Sequence, residues 1–143
     1  MSSAKYTLLD CTLRDGGYYN DWDFDPALIE RYLAAMSAVG VDVVEMGLRS
    51  LRRDGFRGAC AYTTDEFLAS LPLPATLSIG VMVNASELIG AGPVSGPLAS
   101  LFPARSDDSP VDLVRIACHV HEFEEALAAS LWLRDRGYRV GFN

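Results

Sequence analysis

The sequence predicts an α/β fold built on a parallel β-sheet, and three observations support this prediction. Five apolar runs rich in β-branched residues alternate with amphipathic segments, as they do when each strand is followed by a crossover helix. The apolar runs have few polar residues on either face, which is typical of strands covered on both sides. Helix-capping residues flank the amphipathic segments.

Capping residues define one helix clearly between the first two strands. Asp25 is a suitable N-cap, Pro26 stands at the first helical position, and Gly40 follows the last turn. The first strand should span about 6–10 and the second 41–47, with a loop over 16–25. The spacing of apolar residues predicts that this helix buries Leu28, Ile29, Tyr32, Leu33 and Met36.

The rest of the chain continues the alternation of strands and helices. Glycines and prolines in 84–110 should prevent any helix longer than one turn, which Ser86 could cap. The other predicted elements are a helix over 64–71 capped by Thr63 or Thr64, strands over 77–83, 111–117 and 138–142, and a helix over 122–136. The inner face of that last helix is predicted to consist of Phe123, Ala126, Leu127, Leu131 and Trp132.

Two architectures fit five parallel strands. They could form an open doubly wound sheet of the flavodoxin type, or the first five strands of a (β/α)₈ barrel, which usually needs about 250 residues. The sequence ends directly after a strand without a helix to cover it, which favours the incomplete barrel. We therefore expect residues 1–143 to be the N-terminal part of one TIM-barrel domain.

Composition and charge narrow the class of function. Nineteen acidic and twelve basic residues give a formal charge of −7, which argues against nucleic acid and anionic membranes as partners. Residues 1–5 lack a hydrophobic signal core and no apolar run could cross a membrane, so a cytoplasmic location is expected. The widely spaced Cys11, Cys60 and Cys118 form no zinc-type pair and are expected to be reduced thiols.

Polar side chains accumulate where the predicted strands end, which is where barrels place their active sites. Arg14 and Asp15 follow the first strand, and Arg49 and Ser50 follow the second. A carboxylate there can ligate a hard cation, and a guanidinium can stabilise an oxyanion beside it. The structural alternative is a turn in which Asp15 caps backbone amides and pairs with Arg14. The later strands add Asn84, Arg115 and His119.

Glu45 lies inside an apolar strand, and a buried carboxylate is costly unless it is paired. Arg14 is the expected partner, in a catalytic site or in a structural ion pair, and Arg115 could equally be an interior salt-bridge residue. His119 and His121 are spaced like metal ligands, but they lie past the strand at a helix entry. His121 is therefore expected near solvent, and His119 is the candidate to reach the site. No phosphate-binding glycine motif and no serine-hydrolase elbow follows a strand.

Two motifs carry a resemblance to a known family. Asp-Cys-Thr-Leu-Arg-Asp-Gly-Gly at 10–17 and Val-Val-Glu-Met-Gly-Leu-Arg-Ser at 43–50 resemble the DRE-TIM metallolyases, a superfamily of metal-dependent aldolases and lyases. Segments 18–24, 61–67, 80–84 and 114–117 look like the group around 4-hydroxy-2-oxovalerate aldolase, so the likeness runs along nearly the whole chain. The resemblance implies a TIM barrel that binds a divalent cation, Mn²⁺ above all, with Mg²⁺, Co²⁺ or Zn²⁺ as alternatives. It also implies the cleavage or formation of a C–C bond next to a 2-oxo acid.

The resemblance assigns roles to individual residues. Asp15 would be a metal ligand, Arg14 would stabilise an enolate, and Glu45 would hold Arg14 in place. Where the related aldolase has a histidine as catalytic base, this sequence reads Gly-Tyr-Tyr-Asn at 17–20, so the base is Tyr18 or comes from elsewhere. The candidates for binding substrate are Arg49, Ser50, Asn84, Arg115 and His119.

One departure from the family pattern concerns the metal. The family's remaining ligands are a His-x-His pair on a strand later than those present here, so Asp15 is the one good ligand and the chain is expected to be incomplete as an enzyme. The expected partners are a small 2-oxo acid or aldol substrate, together with further copies of the chain or a complementing C-terminal half. The alternative function is that of a non-catalytic, truncated module that self-associates or pairs with a longer relative.

Overall fold

The computed structural model describes residues 6–90 and 92–143. The prediction drawn from residues 1–5, that no targeting signal is present, lies outside these residues. Five parallel strands pair in the order β1-β2-β3-β4-β5. They are β1 (Leu9–Asp10), β2 (Val43–Leu48), β3 (Ser78–Asn84), β4 (Val111–Ala117) and β5 (Arg139–Phe142).

The strand order decides between the two predicted architectures. A doubly wound sheet reverses its strand order at a switch point, whereas a barrel adds each strand beside the previous one. The sequential order observed here is that of a barrel, and the sheet is the N-terminal portion of one. The flavodoxin-type alternative is therefore wrong.

Within residues 6–90 and 92–143, five α-helices and several 3₁₀ turns connect the strands. The helices are α1 (Thr12–Gly16), α2 (Pro26–Val39), α3 (Asp65–Ala69), α4 (Ser95–Leu101) and α5 (Phe123–Asp135). The 3₁₀ turns are Gly17–Tyr19, Ala59–Ala61, Ala85–Glu87, Ser106–Asp108 and Val120–Glu122. None of the helices in the described part of the chain is long and apolar enough to span a membrane.

The caps of α2 are those predicted. The Asp25 carboxylate accepts hydrogen bonds from the backbone N–H groups of Ala27 and Leu28, and Gly40 closes the helix in the left-handed conformation with φ of 80°. Ile29 and Leu33 are buried as predicted, whereas Leu28 remains 44% exposed.

The region after β1 differs from the prediction. Strand β1 ends at Asp10 as predicted but begins at Leu9 instead of residue 6, and a helix that was not predicted, α1, begins at Thr12. Asp10 accounts for this early start because its carboxylate accepts hydrogen bonds from the N–H and hydroxyl of Thr12. Arg14 and Asp15 are consequently placed on a short helix beyond the strand.

A helix also forms within residues 84–110, where the sequence predicted at most one turn. Helix α4 contains Gly96 and Pro97 in its first turn. The first N–H groups of a helix have no partner within the helix, so a proline there removes no hydrogen bond. The prediction treated position-dependent helix breakers as absolute ones and was wrong.

The side of α5 that faces the sheet overlaps only in part with the predicted one, since Ala126 is buried and Trp132 packs against the core as predicted. The buried residues are the small Ala126, Ala129 and Ser130 together with Leu133. The larger Phe123, Leu127 and Leu131 were assigned inward but are 48%, 46% and 60% exposed. Small side chains allow a helix axis to lie close to a sheet, and the sequence carries both stripes, so side-chain size misled the assignment.

The register of the sheet places the polar strand residues on one face. Glu45 is level with Gly80, and Arg115 is level with Met82 and Gly141. Residues level with one another in a parallel sheet point to the same side. The alternate residues of each strand pack against the helices and form the core, including Val44, Ile79, Val81, Val114 and Ile116.

Candidate active site

The side chain of Glu45 is the centre of a buried cluster near the C-terminal ends of the strands. It is fully buried on β2, and its Oε1 accepts a hydrogen bond of 2.8 Å from Nε of Arg14. Nη1 of Arg115 donates to both of its carboxylate oxygens, at 3.2 and 3.3 Å. Glu45 thus binds two guanidinium groups, one from α1 and one from β4, which lie on either side of β2. This confirms the predicted Arg14 pairing and adds Arg115 to it.

Arg14 reaches Glu45 from α1 and also forms an ion pair with Asp15. Burial by itself lowers the pKa of Arg14, but the hydrogen bond and charge of Glu45, together with Asp15, outweigh burial and raise it. The arginine is therefore permanently charged while its side chain is only 10% exposed. Asp15 differs, because its side chain is 57% exposed and can meet an incoming ligand.

Arg115 extends the cluster toward β5. A Cβ on Gly141 would lie 3.5 Å from Cγ of Arg115, which is an ordinary van der Waals contact. Nη2 of Arg115 donates to Oδ1 of Asn143, which follows β5. The cluster therefore extends from the end of β1 across β2 and β4 to the end of β5.

Trp22 supports the Arg14 segment and was not among the predicted site residues. Its indole Nε1 donates a hydrogen bond of 2.9 Å to the backbone oxygen of Arg14, and the ring is buried. A Cβ on Gly17 would come within 1.9 Å of this ring. The second glycine of the motif is thus required by the close approach of Trp22, and that reason is invisible until the loop is folded.

Tyr18 lies outside the cluster. Its ring packs edge-on against Trp22 at 4.7 Å and is 61% exposed. No hydrogen bond joins it to Arg14, Glu45 or Arg115 in the described structure. Its role as a base stays a prediction.

Arg49 is brought to the same end of the sheet but serves a different set of contacts. It is 2% exposed and donates to the backbone oxygens of Thr63 and Leu101, at 3.0 and 2.9 Å. It also pairs with Asp65 and lies over the ring of Phe102 at 4.7 Å. These contacts fasten the loop after β2 to α3 and α4, so the structure gives Arg49 an architectural position rather than a place in the Glu45 cluster.

Ser50 and Asn84 meet at Glu87, a residue that sequence reasoning missed. One oxygen of Glu87 accepts from the Ser50 hydroxyl at 2.9 Å and from the backbone N–H of Leu51 at 2.7 Å. The other accepts from Nδ2 of Asn84 at 3.2 Å. Glu87 ties the ends of β2 and β3 together, and an acidic residue in the turn after a strand was the available signal.

A cleft of about 250 Å³ opens at the ends of β3, β4 and β5. It is lined by Asn84, Ser86, Ala117, Cys118, His119, Glu122 and Asn143. His119 lines this cleft, and its contact with substrate stays a prediction. The His121 side chain is 79% exposed, as predicted. Asn143 borders the cleft and accepts from Arg115, so the cleft adjoins the Glu45 cluster.

The cysteines are free thiols in this structure. Burial, followed by the hydrogen bond to Asp15, raises the pKa of Cys11. Burial raises the pKa of Cys60 to about 12. Neither thiol is activated, which agrees with a packing role.

The residues do not by themselves form a metal centre. Within 6–90 and 92–143, no three His, Cys, Asp or Glu side chains are grouped so that they could hold an ion. Asp15 is an accessible carboxylate, but one ligand is too few for tight binding of a hard cation. The donor set present here does not fit a resident metal unless further ligands come from elsewhere.

The fold and the cluster together define an aldolase-like half-barrel with a charged site at its strand ends. Among solved structures, the chain is similar to the N-terminal domain of a proposed aldolase from Bacteroides vulgatus, with a TM-score of 0.84 and 32% sequence identity. The match covers 96% of this chain and 44% of the solved chain, so this chain spans less than half the length of that neighbour. No protein-family model and no curated protein matches the sequence.

Proposed function

We propose that this chain is the N-terminal, anion-binding part of an aldolase-type lyase that cleaves or forms a C–C bond next to a 2-oxo acid. The observation that carries the proposal is the fully buried Glu45, which orients Arg14 and Arg115 toward the strand ends. The likeness to the N-terminal domain of a proposed aldolase supports the same reading.

The guanidinium N–H donors of the cluster suit an anionic ligand, although its positive and negative charges balance. Arg14 and Arg115 carry two positive charges, and Glu45 is the one buried carboxylate between them. Asp15 balances the second positive charge through its ion pair with Arg14, and its own side chain is 57% exposed to solvent. The carboxylate of a 2-oxo acid would bind the free N–H donors of the two guanidiniums as a charge-assisted pair.

The same groups suit the chemistry of an aldol cleavage. When a base removes the hydroxyl proton, the electrons of the breaking C–C bond move onto the 2-oxo acid, and its carbonyl oxygen becomes an enolate. A guanidinium that is already fixed by Glu45 stabilises this charge without reorganising. Arg14 takes this role in the proposal, and Tyr18 remains the proposed base at the rim.

A divalent metal, Mn²⁺ first, belongs to the proposal with Asp15 as the one ligand from this chain. Such a metal would polarise the substrate carbonyl as a Lewis acid. Its other protein ligands would come from a complementing C-terminal half or another chain, because the described residues do not supply them. We propose that the substrate contacts Asn84, Ser50 and His119 around the cleft. Arg49 would stabilise the loop after β2 through its hydrogen bond to the backbone of Leu101.

Oxalate binding to the purified chain tests this function. Calorimetry should show oxalate binding that weakens at least tenfold in Arg115→Met. Arg139→Met is the matched control, because Arg139 pairs with Asp112 at 2.7 Å and is half exposed. Mn²⁺ should bind measurably with oxalate present, since oxalate adds oxygen ligands, and Asp15→Ala should abolish that binding. Equal oxalate affinity in both arginine variants would contradict the proposed anion site.

A non-catalytic role is the second candidate, and one observation favours it. The described residues lack three grouped metal ligands, so the chain could have the aldolase-like fold without the reaction. Absence of both oxalate and Mn²⁺ binding, in a chain that is folded by circular dichroism, would support this role over the lyase.

A further inference from the structure

A second cleft, of about 280 Å³, lies between the loop after β2 and helices α3 and α4. It shares no lining residue with the cleft at the ends of β3, β4 and β5. Among the described residues, none from the two edge strands β1 and β5 lines it, so the cleft does not depend on the edges of the sheet. The side chains that bear charge or an aromatic ring in its lining are Arg49, Arg53, Tyr62, Asp65 and Glu66.

The side chain of Arg49 lines this cleft while only 2% of it is exposed, and its guanidinium has unused donors. A guanidinium carries five N–H groups. Three of them are used, by the backbone oxygens of Thr63 and Leu101 and by the carboxylate of Asp65. Within 6–90 and 92–143, no acceptor is bound to the other two. A buried donor without an acceptor is costly, so a ligand that accepts from Arg49 would remove that cost.

Carboxylate oxygens in the same cleft are also available to a ligand. Oδ1 of Asp65 accepts both from Arg49 and from the hydroxyl of Ser109, the latter at 2.8 Å. Its Oδ2 has no donor in the described part of the chain. Glu66, the next residue, is exposed and lines the cleft as well. The start of α3 therefore offers acceptors for a cationic group beside the unused donors of Arg49.

Arg53 supplies a second guanidinium, and the surrounding loop holds it in place. Its Nη1 donates to the backbone oxygens of Ser50 and Arg52, at 2.8 and 3.0 Å. Its guanidinium lies over the ring of Tyr62, 4.2 Å from the ring centre. Nε and Nη2 of Arg53 donate to no acceptor among the described residues. A donor group that is already oriented loses little conformational freedom when a ligand binds.

We propose that this cleft binds a small zwitterion of the α-amino acid type. The ligand's carboxylate accepts hydrogen bonds from Arg49 and Arg53, and its ammonium group donates to Oδ2 of Asp65 and to Glu66. This binding site is separate from the proposed aldolase site and does not depend on that function.

Charge and size both favour a zwitterion over a simple ion. The two guanidiniums and two carboxylates in the lining balance each other, so a ligand with one charge of each sign leaves the cleft neutral. A simple anion or cation would add an uncompensated charge beside the buried Arg49 pair. A volume of about 280 Å³ is just below the range of about 300–1,000 Å³ that is usual for small-molecule sites, which suits a ligand as small as an amino acid.

A screen of the protein amino acids tests the proposal. Each is added to the purified chain at millimolar concentration in a thermal-shift assay, and calorimetry then measures the affinity of the one that stabilises the chain most. Arg53→Met and Glu66→Gln should each weaken its binding about tenfold or more, since each removes one charge-assisted contact. Arg52→Met and Glu30→Gln are the matched controls, because both residues are exposed and neither lines the cleft. Circular dichroism verifies that these surface variants remain folded.

Fragments of the ligand test its zwitterionic character. Acetate and ethylammonium, which carry one charge each, should bind about tenfold more weakly than the amino acid or not at all. Arg115→Met should leave the affinity for the amino acid unchanged, because Arg115 belongs to the Glu45 cluster. No binding of any amino acid, or acetate binding as tight as that of the amino acid, would overturn the proposal. Equal effects of Arg53→Met and Arg52→Met, or loss of binding in Arg115→Met, would overturn it as well.

Discussion

Replacing Glu45 by glutamine removes the one buried negative charge between Arg14 and Arg115. The carboxylate is fully buried and accepts one hydrogen bond of 2.8 Å and two near 3.2–3.3 Å from the guanidiniums. Glutamine keeps one acceptor but turns an N–H₂ group toward a donor. The guanidiniums of Arg14 and Arg115 would then share no carboxylate, and Asp15 beside Arg14 would be the remaining counter-charge.

The expected loss of stability is about 3–5 kcal/mol, the usual cost of removing one partner from a buried ion pair. Arg14→Met should cost less than Glu45→Gln, because Glu45 keeps its bonds to Arg115. Urea unfolding followed by tryptophan fluorescence measures each free energy of unfolding, since Trp22 contacts the Arg14 backbone directly. The reasoning fails if Glu45→Gln costs less than about 1 kcal/mol or less than Arg14→Met.

Three further changes have defined outcomes. Gly17→Ala should destabilise the fold by about 2–3 kcal/mol, because its Cβ would overlap the Trp22 ring, whereas Gly92→Ala meets no atom and should be neutral in the same urea assay. Burial opposes ionisation of Asp10, but hydrogen bonds from Tyr32 and Thr12 outweigh it and lower its pKa. The resulting stabilisation is present above the unfolded pKa of about 3.9 and is lost as pH falls through the folded pKa. Tyr32→Phe should therefore raise the Asp10 pKa in an NMR titration, and an unchanged value would contradict the assignment. Because the folded pKa of Cys60 is about 12, iodoacetamide at pH 8 should label Cys118 well before Cys60, and unfolding should remove the difference. For the same reason stability should fall as pH rises above about 8.5, where the unfolded Cys60 thiol ionises first.

Local patterns were sufficient to predict most of the strands and the longest helix. The caps Asp25 and Gly40 set the ends of α2 through hydrogen bonds made within a few residues. The strand over 111–117 was predicted with its observed ends because its apolar residues begin directly after Pro110 and are interrupted only by Asp112 and Arg115. Helix caps and apolar runs depend on residues that are close in sequence, so they can be recognised without knowledge of the tertiary structure.

Other features depended on contacts that only the fold creates. Helix α5 carries two apolar stripes, and the choice of the small-residue stripe for the sheet depended on how closely the helix could approach β4 and β5. Glu87 became a link between β2 and β3 because its turn lies beside the Ser50 loop, 37 residues earlier.

The sequence alone determined the β/α alternation, the pairing of Arg14 with Glu45, and the accumulation of polar residues at the strand ends. These follow from residue chemistry, since a carboxylate inside an apolar strand must find a cation. Only the tertiary structure decided that the strands pair in sequential order and that Arg115, 70 residues from Glu45, shares the same carboxylate. It likewise placed Tyr18 at the rim and left one face of α5 in solvent. Long-range register and helix orientation decide such features, because both are set by the packing of the whole sheet and not by any local run of residues.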